Sequence, residues 1–199
     1  MMKIMFQGDS ITDAFRDRSD NHNLSGYTQK AADILGPNYE YVNYACGGDT
    51  SDQMMVRHET EFAKEMPDVL SLLIGINDIW RHYDGFFQFK VEKEKFIQNV
   101  LDCIQVSKKH NPNVKIIIIE PYLIPGTSML YTQGLDRFLE YIKALKENVI
   151  DKVDQYLVVN DDFMLAYNKG EIYSEDGVHP NELGQQYLAK RVADAIKKL

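Results

Sequence analysis

Short apolar runs alternate along the chain with longer stretches in which apolar residues recur at helical spacing. The runs are rich in β-branched and aromatic residues, and each ends close to a glycine, proline, asparagine or aspartate, which is typical of buried β-strands. The predicted strands are Lys3–Phe6, Tyr39–Tyr44, Val69–Ile74, Val114–Ile119 and Tyr156–Asn160. The third run has the composition expected of a central parallel strand that is buried on both faces.

Amphipathic helices are predicted between and after these strands. A Gly-Pro pair ends the first helix, residues 111–113 end a later one, and Asn181 is placed to cap the last. The predicted helices are 27–35, 51–66, 92–110, 135–153, 163–168 and 181–199. Residues 79–90 are crowded with aromatic side chains, and residues 121–134 contain two prolines and two glycines. Both segments are therefore predicted to be irregular loops.

Strands joined by helices predict an α/β fold in which a five-stranded parallel sheet is covered by helices on both faces. The chain has 199 residues and contains no internal repeat, low-complexity tract or linker-like change of composition, so one domain covering residues 1–199 is expected. Right-handed crossovers bring the carboxyl ends of all the parallel strands to one edge of the sheet. The segments predicted to meet at this edge are Gly8–Ser10, Gly47–Asp49, Gly75–Asp78 and Pro121.

The charge pattern narrows the range of partners. A net charge of −8 without any run of basic residues argues against nucleic acid or an anionic membrane surface. No apolar segment is long enough to cross a bilayer, and the first apolar run is too short for the hydrophobic part of a secretory signal, so the chain is predicted to be cytoplasmic. Its two cysteines, Cys46 and Cys103, do not indicate a disulfide framework.

The polar residues at the end of the first strand carry the strongest chemical signal. Gly8-Asp9-Ser10 places a hydroxyl group and several free backbone N–H groups at the sheet edge where α/β proteins bind ligands. A serine nucleophile needs a base, a group that orients this base, and donors for an oxyanion. The tripeptide also arises by chance, so the interpretation depends on finding those partners elsewhere in the chain.

His179 is the best candidate base among the five histidines. It lies in the sequence Asp176-Gly177-Val178-His179, where the carboxylate three residues earlier can accept a hydrogen bond from the ring and stabilise the imidazolium. An ordinary turn before a helix is the alternative interpretation of this motif. The other histidines lie in predicted helices or in loops without a supporting pattern: His22, His58, His82 and His110.

Four short motifs resemble the blocks that define the SGNH hydrolase superfamily of GDSL-type esterases and lipases. Each alone has an ordinary structural explanation, but together they follow strands in the order of the family and cover nearly the whole chain. The matching segments are Gly8–Ser10, Asn43–Thr50, Gly75–Asp78 and Asp176–His179. Ala45 stands where many members have glycine, which affects only the local geometry of that loop. The resemblance implies a flavodoxin-like three-layer α/β/α sandwich.

The resemblance also implies an active site. Ser10 would be the nucleophile, His179 the base, and Asp176 the acid that orients this base. The oxyanion hole would consist of the Ser10 N–H group, the Gly48 N–H group and the side-chain amide of Asn77. Such a mechanism requires no metal ion and no organic cofactor.

The segment Ile74–Asp84 is most similar to bacterial carbohydrate deacetylases of the acetylxylan-esterase kind. This similarity implies a small-molecule ester substrate, with acetyl esters of carbohydrates as the preferred class. Trp80 is expected to line the site or to stack on a sugar ring. Arg81 is expected either to reach the substrate or to form an ion pair with a neighbouring carboxylate.

Two other functions are compatible with parts of this pattern. A lipase, acylhydrolase or thioesterase for longer acyl chains would use the same catalytic residues and differ only in its acyl-chain preference. A phosphoacceptor signalling domain shares the fold class, but it needs a lysine after the fifth strand, where Asn160-Asp161-Asp162 stands instead. The residues leave the oligomeric state open, with a homo-oligomer among the alternatives.

Overall fold

A sheet of five parallel strands forms the centre of the computed structural model, which describes residues 1–199. The strands are Met2–Gly8 (β1), Tyr39–Asn43 (β2), Val69–Leu73 (β3), Lys115–Ile119 (β4) and Gln155–Leu157 (β5). Their order is β2-β1-β3-β4-β5, and every neighbouring pair is parallel. This is the doubly wound, flavodoxin-like order, so the predicted fold class is confirmed.

Eight α-helices connect or flank the strands, and none of them is both long and apolar enough to cross a membrane. They are Ser10–Asp13 (α1), Gly26–Leu35 (α2), Ser51–Glu65 (α3), Ile76–Trp80 (α4), Lys93–His110 (α5), Met129–Val149 (α6), Asn160–Asn168 (α7) and Glu182–Ile196 (α8). Helix α2 packs against α8, whereas α3 packs against α5 and α5 against α6. The crossover from β1 to β2 runs in the opposite direction to the later crossovers. Right-handed connections therefore place α2, with α8 packed against it, on one face of the sheet and α3, α5 and α6 on the opposite face.

Helix α6 begins at Met129, inside the segment that was predicted to be a loop. The Ser128 side chain accepts a hydrogen bond from the N–H group of Leu130 at 3.1 Å and caps the first turn. Gly134 lies within the helix, and a Cβ at this position would be 2.8 Å from Cε2 of Tyr83. This glycine therefore marks a close contact with the loop after α4 and does not break the helix.

The apolar core encloses a small polar network around His58. The Nδ1 of His58 lies 2.6 Å from Oε1 of Gln7 on β1, and the Nε2 of His58 lies 3.0 Å from Oγ of Ser107 on α5. Burial lowers the pKa of His58 to about 4, so the ring is neutral near pH 7. His58 thus links the sheet to two helices, which is the structural role expected for a histidine in this helix.

The carboxyl ends of β1 and β3 lie so close to their neighbours that glycine is required where the chain leaves each strand. A Cβ on Gly8 would be 2.1 Å from the carbonyl oxygen of Leu73, the last residue of β3. Gly75 has a φ of +129°, and a Cβ there would lie 2.7 Å from the Phe96 ring. These two glycines let the chain turn at once from β1 into α1 and from β3 into α4.

Candidate active site

Ser10 is the first residue of α1 and is half-buried at the carboxyl edge of the sheet. The Asp9 side chain caps this helix, because its Oδ1 accepts a hydrogen bond from the N–H group of Ile11 at 3.0 Å. Asp9 is 1% exposed, and burial raises the pKa of its carboxyl group to about 7. Asp9 therefore stabilises the turn that presents the Ser10 hydroxyl group.

Ser10, His179 and Asp176 form a continuous line of hydrogen bonds. The Ser10 Oγ lies 2.9 Å from Nε2 of His179, and Nδ1 of the same ring lies 2.6 Å from Oδ2 of Asp176. With the Nδ1 proton donated to the carboxylate, Nε2 is the free acceptor for the Ser10 hydroxyl proton. The hydrogen bond with Asp176 raises the pKa of His179, although partial burial opposes this shift. The ring is thus held in the tautomer that general-base catalysis requires.

The Asp176 carboxylate is itself held by three further hydrogen bonds. Its Oδ1 accepts them from the N–H groups of Val178 and His179, at 2.8 and 2.7 Å, and from the Ser174 hydroxyl at 3.0 Å. Burial alone would raise the pKa of Asp176, but the hydrogen bonds from His179 and from the backbone lower it below its usual value. Asp176 therefore stays ionised near neutral pH and keeps Oδ2 directed at the ring.

The turn that carries Asp176 and His179 packs directly on the loop after β4. Backbone N–H groups of Ile124 and Ser128 donate hydrogen bonds to the carbonyl oxygens of Gly177 and Asp176, both at 3.1 Å. A Cβ on Gly126 would lie 2.3 Å from the carbonyl carbon of Asp176. Only glycine fits there, so this loop sets the position of the turn. Sequence reasoning missed this role of Gly126, because no local pattern indicates which distant segment packs on a loop.

Two of the donors predicted for an oxyanion hole lie beside the end of β1. Gly48 has a φ of +86°, and its N–H group has no hydrogen-bond partner within the chain. Asn77 on α4 is buried, and its Nδ2 donates to the carbonyl oxygen of Asp49 at 2.9 Å, which orients the amide. The third predicted donor, the N–H group of Ser10, belongs to the first turn of a helix and is not used by the helix itself.

Contacts with β1 and α3 hold the loop that contains Gly48. The N–H group of Cys46 donates to the Gly8 carbonyl oxygen at 3.0 Å, which ties the loop to the end of β1. Arg57 on α3 forms an ion pair with the Asp49 carboxylate. These contacts hold the donors in place without any ligand, and such preorganisation is what makes an oxyanion hole effective.

Helix α4 is anchored to α3 through a buried carboxylate. Asp78 is fully buried, and it accepts hydrogen bonds from the N–H group of Ser51 at 2.9 Å and from the Ser51 hydroxyl group. Burial raises the pKa of Asp78 to about 7. Because Asp78 directly follows Asn77, this contact fixes the helical turn that carries the Asn77 amide.

Ser10 and His179 open into a cavity of about 530 Å³. The cavity also contains every predicted oxyanion and substrate-binding residue, whereas Asp176 does not line it. The lining residues are Ser10, Asp13, Phe15, Arg18, Gly47, Gly48, Asn77, Trp80, Arg81, Asp84 and His179. Phe15 and Trp80 are the apolar members of this set, and most of the remaining lining residues carry polar or charged side chains.

Sequence reasoning missed Asp13, Phe15, Arg18 and Asp84 as lining residues. Asp13 lies one helical turn after Ser10, and this spacing was a usable signal, because residues three apart share a helix face. Arg18 reaches the site through two hydrogen bonds to Asp13, of 3.0 and 2.7 Å. Phe15 has a positive φ of 56° in the turn after α1, and no sequence pattern predicts that conformation for phenylalanine.

Trp80 and Arg81 lie on the wall beside His179 and Gly48. The ring centroid of Trp80 is 6.2 Å from that of His179. Arg81 donates from Nη2 to the Gly48 carbonyl oxygen at 3.0 Å and forms an ion pair with Asp84. Arg81 thus forms the predicted ion pair with a neighbouring carboxylate and also lines the cavity, whereas its contact with the substrate stays a prediction.

No cysteine and no other histidine lines the cavity. Burial raises the pKa of the Cys46 thiol, which remains protonated near neutral pH, and Cys46 does not line the cavity. The other histidines are engaged elsewhere: His22 with the Tyr41 carbonyl, His58 in the core, His82 near the Val91 carbonyl and His110 with Glu59. No group of three or more His, Cys, Asp or Glu side chains is arranged to hold a metal ion.

Known proteins match this chain over most of its length. Acetylxylan esterase from Geobacillus stearothermophilus is 28% identical, over 94% of this chain and 90% of that protein. Among solved structures, a GDSL-like lipase-type protein of Parabacteroides merdae has a TM-score of 0.89 at 27% identity, covering 98% of this chain and 95% of that one. The acetylxylan esterase Axe2 of G. stearothermophilus has a TM-score of 0.85 at 25% identity, covering 98% and 94%.

The family assignment follows from the extent of the match. The sequence profile of the GDSL-like Lipase/Acylhydrolase family matches residues 6–187, a range that includes every strand end at the site and the turn carrying Asp176 and His179. The solved relatives share the same fold from end to end. The chain therefore belongs to the GDSL-like lipase/acylhydrolase family and is a carboxylic ester hydrolase.

Proposed function

We propose that this ester hydrolase is a serine esterase that removes short acyl groups, chiefly acetyl groups, from carbohydrates. The observation that carries the mechanism is the line of hydrogen bonds from the Ser10 hydroxyl through His179 to Asp176. The similarity to proteins named acetylxylan esterases supports an acetylated sugar as the small-molecule substrate.

The first half of the reaction transfers the acyl group to the enzyme. The Ser10 Oγ attacks the ester carbonyl carbon while Nε2 of His179 takes the hydroxyl proton, and Asp176 stabilises the resulting imidazolium. The carbonyl oxygen becomes an oxyanion that accepts hydrogen bonds from the N–H groups of Ser10 and Gly48 and from the Asn77 amide. The intermediate then expels the sugar oxygen, which leaves as an alcohol after receiving the proton from His179.

The second half of the reaction releases the acid. Water enters the position that the alcohol has left, and Nε2 of His179 takes a proton from this water as its oxygen attacks the acyl carbon. A second oxyanion forms at the same donors. Collapse of this intermediate breaks the bond to the Ser10 Oγ, and His179 returns the proton to the serine as the carboxylic acid departs.

The charged pairs that line the cavity support a short acyl group over a long one. An alkyl chain gains about 0.8 kcal/mol per methylene group only when it leaves water for an apolar surface. Phe15 and Trp80 are the apolar members of the cavity wall, and Phe15 is itself almost fully exposed to solvent. A long chain would instead cover the charged Arg18–Asp13 and Arg81–Asp84 pairs, which costs hydration of polar groups.

Replacing the orienting acid should change the pH profile of hydrolysis. In Asp176→Asn, kcat should fall by several orders of magnitude, on the order of 10⁴, because the ring loses the carboxylate that selects its tautomer. His179 acts as a base only when neutral, and Asp176 raises its pKa above the ordinary 6.5. The acid limb of kcat/KM should therefore move to lower pH in the residual activity of the variant.

Asp154→Asn is the matched control for this change. Asp154 also accepts a hydrogen bond from a backbone N–H group and pairs with a cation, Lys115, and its pKa is likewise lowered, but its partners are Lys115 and Ile116 and not His179. The acid limb of kcat/KM for Asp154→Asn should coincide with that of the wild-type protein. An acid limb that stays in place in Asp176→Asn would remove Asp176 from the role of orienting His179.

Removing the predicted amide donor should slow the chemical step. Asn77→Ala is expected to lower kcat by about 10²–10³, the usual effect of losing one oxyanion donor, with a smaller change in KM. Asn111→Ala removes an equivalent amide that donates to the Pro67 carbonyl outside the cavity, and it should keep wild-type kcat. Full activity in Asn77→Ala, with a melting temperature like that of the wild-type protein, would exclude Asn77 from the oxyanion hole.

A panel of esters should separate the proposed substrate class from longer acyl chains. We expect kcat/KM to be highest for acetylated xylose and xylo-oligosaccharides and to fall steadily from acetyl to octanoyl along a series of 4-nitrophenyl esters. Acyl thioesters of the same chain lengths should be poorer substrates throughout. A preference for octanoyl or longer chains would contradict the carbohydrate assignment and favour a lipase or thioesterase that uses the same mechanism.

A further inference from the structure

A second cavity, of about 270 Å³, lies beside the active-site cavity. The two share Gly47, Gly48 and Arg81, so both border the loop that carries the predicted oxyanion donor. Its remaining lining residues are Asp49, Gln53, Phe86 and Phe89. The proposed reaction uses none of these four side chains, and the volume is close to the lower limit that is typical of small-molecule sites.

Two phenylalanines give this cavity an aromatic surface that is open to solvent. Phe86 is 54% exposed and Phe89 is 44% exposed. The two belong to one short turn, in which the N–H group of Phe89 donates to the Phe86 carbonyl oxygen at 2.9 Å. Exposed aromatic rings are costly to keep in water unless they have a partner, so this pair requires an explanation.

The aromatic surface is connected rigidly to the active site. Asp84 accepts a hydrogen bond from the Phe86 N–H group at 2.9 Å through Oδ1, and its Oδ2 pairs with Arg81. Arg81 in turn donates to the Gly48 carbonyl oxygen at 3.0 Å, and its guanidinium group lies 5.7 Å from the centroid of the Phe86 ring. A ligand that contacts Phe86 is therefore held at a fixed distance from the oxyanion loop.

The cavity also offers a free hydrogen-bond donor. The Gln53 Oε1 accepts a hydrogen bond from the Thr50 N–H group at 2.9 Å and completes the cap of α3. That contact fixes the side chain, while Nε2 of Gln53 has no partner within the chain. The cavity thus combines two aromatic faces with an oriented amide, and this combination suits a ring that has apolar faces and hydroxyl groups at its edge.

We propose that this second cavity binds a pyranose ring of the glycan that neighbours the acetylated unit, so that the enzyme acts preferentially on oligomeric substrates. The inference rests on the proposed function, because it assigns the second ring to the same carbohydrate. The C–H faces of a neutral sugar pack on Phe86 and Phe89 while its hydroxyl groups accept from Gln53 and donate to Asp49. An alkyl chain fits less well, since Arg81, Asp49 and the backbone of Gly47 and Gly48 would lose hydration without a hydrogen-bonding replacement.

The test compares two acetylated substrates that differ in length. The substrates are methyl mono-O-acetyl-β-xylopyranoside and mono-O-acetyl-xylotriose, and the readout is the ratio of kcat/KM for the trimer to that for the monomer. The wild-type protein should have a ratio well above one. Phe86→Ala and Phe89→Ala should each lower the ratio by roughly 3- to 10-fold, mainly through a higher KM for the trimer, since an aromatic contact of this kind contributes to ground state and transition state alike.

Phe87→Ala is the matched control, because Phe87 is 56% exposed in the same turn and does not line the cavity. It should keep the wild-type ratio. A wild-type ratio near one, or an unchanged ratio in both Phe86→Ala and Phe89→Ala, would overturn the second subsite while leaving the acetyl-sugar assignment intact. A change of oligomeric state in those variants without a change in the ratio would assign the aromatic surface to a subunit interface and would also overturn it.

Failure of the proposed function gives a different result. In that case neither acetylated sugar would be hydrolysed above the uncatalysed rate, whatever residue stands at position 86 or 89, although 4-nitrophenyl esters would still be cleaved. Phe86→Ala and Phe89→Ala could instead lower kcat/KM for octanoyl esters and leave the trimer-to-monomer ratio unchanged. That result would identify the cavity as an acyl-chain site and overturn the carbohydrate subsite.

Discussion

The hydrogen bond between Nδ1 of His179 and Oδ2 of Asp176, at 2.6 Å, is the interaction on which the rest of the site depends. It favours the tautomer in which Nε2 is free to accept a hydrogen bond from the Ser10 hydroxyl group, and it raises the pKa of the ring. The fold supports this one contact from two sides. The parallel sheet brings Ser10 to the shared edge, while the loop after β4, through Gly126, fixes the turn that carries both partners of the bond.

Holding the site in place reduces stability at neutral pH. Asp9 and Asp78 are buried carboxyl groups whose pKa rises from 3.8 to about 7 in the folded protein. Because the folded state binds their protons more tightly than the unfolded chain does, their contribution to stability is fully present below about pH 4 and is lost as the pH rises towards 7. The hydrogen bonds from Ile11 and Ser51 offset part of this cost. Asp9 caps the turn that carries Ser10, and Asp78 anchors the turn that carries Asn77. The loss of stability at neutral pH therefore comes from the two groups that position these residues.

The fold and the centre of the site were predictable because each rests on a local pattern repeated at strand ends. Ser10, Gly48 and Asn77 follow three strands, and parallel topology alone brings them together. The spacing of His179 from Asp176 also fits an ordinary turn, so its prediction as the base depended on the other motifs and on the family resemblance as well. The outer wall was less predictable, because its position depends on loop conformation. Phe15 and Arg18 reach the cavity through an unusual left-handed turn after α1, Gly126 acts through a contact with a distant segment, and the early start of α6 depends on a single serine cap.

The most direct test of the account is covalent labelling of the nucleophile. A fluorophosphonate reacts with a serine whose hydroxyl is activated by a neighbouring base, and it leaves a stable adduct that mass spectrometry can locate. We expect one adduct per chain, on the peptide that contains Ser10, with loss of ester hydrolysis in proportion to labelling and no adduct in Ser10→Ala. Ester hydrolysis that persists after Ser10 is fully labelled, or an adduct on another residue that accompanies the loss of activity, would contradict the assignment of Ser10 as the nucleophile.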